Sequence, residues 1–118
     1  MKMRAARGAI AVPEDTRDAV LTSTTRLVAE MLRRNDLSGD DLVSVIFTVT
    51  PDLRSAFPAE AAREMGLRGV PLLCAVEIDV RGAMARVVRV LMHFESDSPR
   101  EEIAHVYLEG AESLRDDL

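Results

Sequence analysis

Glu77, Arg86 and Arg89 are ionisable residues set into stretches of this sequence that otherwise read as core, and Arg7 stands mid-strand among small residues. Glu77 lies in Pro71-Leu72-Leu73-Cys74-Ala75-Val76-Glu77-Ile78-Asp79, and two arginines interrupt Met84-Ala85-Arg86-Val87-Val88-Arg89-Val90-Leu91-Met92. Written as strands, the first run puts Leu73, Ala75 and Glu77 on one face and Leu72, Cys74, Val76 and Ile78 on the other. The second puts Arg89 with Val87 and Leu91, and Arg86 with Met84, Val88 and Val90. A charge among such neighbours is costly unless it is paired or meets an ionic ligand. A buried structural ion pair and a binding site for an anion both satisfy that condition.

Between the two runs, Val80-Arg81-Gly82-Ala83 predicts a hairpin, with Gly82 supplying the backbone freedom of a short loop. A two-residue loop sets Glu77 on the face of Arg86, whereas a three-residue loop sets it with Arg89. The residues alone leave both registers open.

Composition narrows the chemistry. At 118 residues, 47% hydrophobic and 30% charged, the chain makes a single globular domain spanning 1–118 with a modest core. The net charge of -5 argues against nucleic acid as a partner, because phosphates demand a basic face. No stretch approaches the ~20 apolar residues of a membrane span, and no apolar leader opens the chain, so the expected location is the cytoplasm. Cys74 is the single cysteine, which rules out an internal disulfide and a multi-cysteine metal site. His93 and His105 are too isolated in sequence to suggest a metal site or a triad.

The elements that must position these charges follow in order. Met3 to Val12 reads as a first strand, with Arg7 rising from the face of Ala5, Ala9 and Ala11, either as a solvated edge residue or as a site residue. Asp15 or Thr16 caps a long helix to about Arg34, whose stripe of Val20, Thr24, Leu27, Val28, Met31 and Leu32 marks it as a cover for a sheet. Val43 to Val49 is a strand. It runs into Thr50-Pro51-Asp52-Leu53, and a short helix from Ala59 to Met65 is led by Pro58 and stopped by Gly66. His105 to Glu109 is a short last strand. The pattern is α+β, a mixed five-stranded sheet covered by one long helix and short helices. One helix cannot cover both apolar faces, and self-association is the simplest cover for the second.

Arg7-Gly8-Ala9, Thr50-Pro51-Asp52-Leu53, Phe57-Pro58-Ala59 with Arg63, Val70-Pro71 leading to Cys74 and Glu77, Arg89, and His105-Val106-Tyr107-Leu108 with Leu114-Arg115 together resemble the monofunctional chorismate mutases of the trimeric, pseudo-α/β-barrel class. The resemblance runs from end to end in constant order. It implies a homotrimer with sites between subunits and the rearrangement of chorismate to prephenate, on the route to phenylalanine and tyrosine. It implies no cofactor and no metal.

The same resemblance assigns roles. Arg89 would contact the ether oxygen and a carboxylate, Arg7 and Tyr107 would bind carboxylate, and Glu77 with the Cys74 region would take the ring hydroxyl and the developing positive ring. Phe57, Ala59 and Arg63 would come from the adjacent subunit, Leu73 would line the site, and Leu114 and Arg115 would close its mouth. It favours the register that gathers Glu77 with Arg89. Glu60 departs from the pattern, which often carries Lys there. A non-catalytic trimeric module that binds an anionic metabolite, and a deaminase-type trimer of similar architecture, are the alternative readings.

Overall fold

The structure, a computed structural model, describes residues 1–117. Strand β1 (Lys2–Ala11) leads to helix α1 (Arg17–Arg34) and strand β2 (Leu42–Val49); helix α2 (Pro58–Glu64) joins β2 to β3 (Leu72–Val76), and β4 (Val87–Ser96) and β5 (Val106–Leu108) follow. Single 3₁₀ turns lie before β2 and after β4, and a longer 3₁₀ segment (Ala111–Asp117) ends the described chain. The sheet order is β3-β2-β4-β1-β5. β4 runs antiparallel to both β1 and β2, while β3 pairs parallel with β2 and β5 parallel with β1. Four strands therefore point one way, and β4 lies reversed among them.

This order corrects the hairpin expected from the sequence. β3 and β4 are not neighbours, since β2 stands between them. Residues 77–86 form a long loop, with Gly82 at φ 83 and Arg86 at φ 51, so Arg86 does not belong to a strand. The physical reason is that β3 follows a helical crossover, which returns the chain parallel to β2. β4 then inserts between β1 and β2, where it makes a full ladder on each side.

Thr16 caps α1 through its side chain, which accepts from the Ala19 N–H at 3.2 Å. Val20, Leu27, Val28 and Met31 are fully buried against Ile10, Phe47, Val90, Met92 and Phe94 on the sheet. Gly8 makes this contact possible. A Cβ there would lie 2.6 Å from Met31 Sδ and 3.2 Å from the Val106 carbonyl oxygen.

The shortest Cα extent, 20 Å, is the thickness of one sheet and one helix layer at ~10 Å each. Helix α1 covers one sheet face in full, while on the other the C-terminal 3₁₀ segment covers only the patch of Ala9, Val87 and Tyr107. On the other face and the β3 edge, Phe57, Leu73, Val76, Ile78 and Val80 are all 60% exposed or more. Among the described residues no helix is long and apolar enough to cross a membrane.

Candidate active site

Strand register places a single row of side chains across the open sheet face. Ala75 pairs with Thr48, Thr48 with Arg89, Arg89 with Ala9, and Ala9 with Tyr107. Glu77 follows β3 on the same face, its N–H bonded to the Val49 carbonyl at 2.8 Å, and Arg7 lies two residues before Ala9. Arg7, Thr48, Glu77, Arg89 and Tyr107 line one cavity of about 260 Å³.

Glu77 and Arg89 meet here, as one of the two sequence registers required, although through β2 and not through a hairpin. Arg89 Nε lies 3.6 Å from Glu77 Oε1, and each side chain is about a third exposed: 36% for Arg89 and 30% for Glu77. The same oxygen accepts the Thr48 hydroxyl at 2.6 Å. Arg89 Nε is itself buried and makes no hydrogen bond among the described residues. A charged donor held short of the Glu77 carboxylate can donate a hydrogen bond to an anion that enters the cavity.

Behind the row, the Arg7 N–H donates to His105 Nδ1 at 3.0 Å. That bond requires Nδ1 to be unprotonated and so fixes the tautomer. Burial first, then the Arg7 and Arg115 guanidinium charges, lower the His105 pKa below its ordinary value. Tyr107 is buried against Ala9, Val87 and Ala111, with Leu114 beside them. Leu114 also lines an adjoining cavity of about 560 Å³ that shares Glu77 and Arg89 with the first. Arg115 is exposed on the final 3₁₀ turn.

The Thr50-Pro51-Asp52 stretch holds the start of β4. Thr50 Oγ1 donates to Asp52 Oδ1 at 2.5 Å and accepts from the Val87 N–H at 3.0 Å, while the Asp52 carboxylate accepts from the Arg86 N–H. Arg89 is therefore placed by a clamp two residues upstream.

Cys74, Phe57 and Arg63 gather elsewhere. They line a second cavity of about 520 Å³, with Arg17, Arg54 and Glu60, along α2 and the β3 edge. Cys74 points to the opposite sheet face from Glu77, as alternation requires, so one chain does not bring the two together. Ala59 is buried in the core and does not line this cavity. Leu73 is exposed on the open face opposite Ile46. Glu60 is gripped by Arg17 through two bonds, Nη1 to Oε2 at 2.7 Å and Nη2 to Oε1 at 2.8 Å. The Arg17 hydrogen bond lowers the Glu60 pKa, and Glu60 in turn raises that of Arg17. The rim thus keeps a guanidinium even though position 60 is acidic.

Sequence reasoning missed Thr48, the backing role of His105, and Arg17. Alternation puts Thr48 on one face of β2, but only the strand order reveals which carboxylate it meets.

The mixed sheet with its helical cover makes this an α+β protein with arginines, a tyrosine and a carboxylate around one cavity. The family model described as chorismate mutase type I matches residues 3–118. The chain belongs to that family. It is 50% identical to a chorismate mutase AroH of Thermus thermophilus over 117 residues, 98% of this chain and 96% of the relative. It is 40% identical to a chorismate mutase AroH of Bacillus subtilis (strain 168) over 119 residues, covering 100% of this chain and 94% of that one. The solved chorismate mutase from Clostridium thermocellum superposes with a TM-score of 0.91 at 47% identity, covering 92% of this chain and 97% of its own.

Proposed function

We propose that this protein rearranges chorismate to prephenate, in a site that forms between neighbouring copies of a homotrimer in the cytoplasm. The reaction is a unimolecular [3,3] shift. An ether C–O bond breaks while a C–C bond forms, and no proton or nucleophile is exchanged. An enzyme for it must fold a dianion into its reactive conformer and stabilise the charge separated as the ether opens.

The observation that carries this reading is the Arg89 guanidinium, held 3.6 Å from Glu77, its Nε without a hydrogen bond among the described residues, in a cavity shared with Arg7 and Tyr107. Arg89 meets the ether oxygen, where negative charge grows, and a substrate carboxylate. Arg7 and Tyr107 bind carboxylate. Glu77 takes the ring hydroxyl and faces the ring as it becomes positive. Phe57 and Arg63 approach from the adjacent subunit, with Ala59 buried behind them. Cys74 shares a cavity with Phe57 and Arg63 and so arrives with them. Leu114 and Arg115 close the mouth.

The trimer supplies what the single chain lacks, a cover for the bare sheet face and for the exposed Val76, Ile78 and Val80. The experiment is the loss of chorismate absorbance on adding pure protein. Even a modest enzyme accelerates its reaction by ~10⁶-fold. Disappearance at the spontaneous rate would instead favour a module that binds an anionic metabolite without turning it over.

A further inference from the structure

We propose that Thr48 is a positioning residue that keeps the Arg89 guanidinium open for substrate by restraining Glu77. This rests on the reading of Arg89 as the substrate-binding cation.

Glu77 Oε1 has two suitors, the Thr48 hydroxyl at 2.6 Å and Arg89 Nε at 3.6 Å. Charge-assisted N–H···O bonds ordinarily close to about 2.7–2.9 Å. The gap at Arg89 is wider by most of an ångström, while the neutral hydroxyl has the short contact. Thr48 and Arg89 are directly paired across β2 and β4, so the hydroxyl rises from the sheet beside the guanidinium. Its branched side chain has few χ1 states, which fixes where that hydroxyl can sit. The carboxylate is drawn toward β2, and Nε is left buried without a bond among the described residues.

Without that hydroxyl the carboxylate has no partner on β2. Glu77 then swings onto the guanidinium, and a closed, bidentate ion pair forms. Every substrate molecule must break that pair before it can bind. The cost falls alike on bound substrate and on transition state, so it raises KM and spares kcat. A group that touched the reacting atoms would behave in the opposite way.

The test compares Thr48→Val, which keeps the branched shape without the hydroxyl, with Thr48→Ser, which keeps the hydroxyl. For Thr48→Val, KM for chorismate rises roughly ten- to a hundred-fold, as expected for losing a hydrogen bond to a charged group, with kcat little changed. Thr48→Ser retains most of the parent's efficiency. In a Glu77→Gln background, where no ion pair can close, adding Thr48→Val changes KM little further, which is non-additivity between coupled groups. A crystal structure of Thr48→Val shows Arg89 and Glu77 in direct hydrogen-bond contact.

An unchanged KM in Thr48→Val, a loss confined to kcat, or additive losses in the double variant would overturn the assignment. So would a crystal structure of Thr48→Val with the gap between Arg89 and Glu77 preserved. That structural readout decides the matter even if the parent protein leaves chorismate unconsumed, in which case the reading of the site fails separately.

Discussion

Arg89 Nε is buried with no hydrogen-bond partner among the described residues, a condition that costs ~1–3 kcal/mol in a folded protein. Such a cost is characteristic of a site that waits for its ligand. His105 carries a second cost of this kind. Its Nδ1 accepts from Arg7, and burial with the Arg7 and Arg115 charges lowers its pKa below the ordinary ~6.5. Where the native pKa is depressed, the unfolded chain takes up the proton first as pH falls. Stability therefore declines below about pH 6.5 and levels off beneath the lowered native value, while above 6.5 the group contributes no pH dependence. Melting temperature against pH for the parent and for His105→Gln should converge in slope above pH 6.5 and part below it, with the parent falling faster. Parallel curves throughout would contradict this account. Glu77 and Arg89 were legible from sequence as charges on core-like strands. Their partner Thr48 was not, because an ordinary β-strand threonine acquires meaning only from the strand beside it.

At the scale of elements, local signals carried far and pairing did not. Alternation located the strands within one or two residues at most ends, Thr16 and Pro58 marked the helix starts, and the apolar stripe of α1 identified its buried face. The hairpin failed because two apolar runs around a glycine specify a reversal of direction without specifying which strand is met afterwards. β2 took the place beside β3 through a crossover. The contact of α1 with β1 gives a direct test. Gly8→Ala would place a Cβ 2.6 Å from the flexible end of Met31, where the sulfur can shift, and 3.2 Å from the Val106 carbonyl oxygen, where the backbone cannot shift cheaply. Overpacking of this kind costs ~1–3 kcal/mol. Chemical denaturation should show that loss of stability. Since Gly8 lies between Arg7 and Ala9, turnover should fall as well; an unchanged midpoint would mean that α1 yields more easily than its packing indicates.

For the molecule as a whole, a sheet covered on one side raises the question of what covers the other. Ile78 is 78% exposed in the single chain, so an acid there should leave the fold intact. If copies of the chain meet across that region, Ile78→Asp lowers the solution mass from trimer toward monomer and reduces chorismate turnover by at least ~10²-fold, because site groups from the neighbour are lost. Circular dichroism and melting should remain cooperative. A monomeric Ile78→Asp with full turnover would refute a shared site. If a fixed guanidinium acts on charge that exists only while the ether opens, Arg89→Lys is the decisive variant. The variant keeps the positive charge but loses the planar fork. Measured on the assembled protein, kcat should fall by ~10²–10³-fold, as when one preorganised donor to a developing oxyanion is removed, while the Kd for prephenate rises far less. Equal losses in kcat and in prephenate affinity would contradict the claim and leave Arg89 as a carboxylate anchor alone.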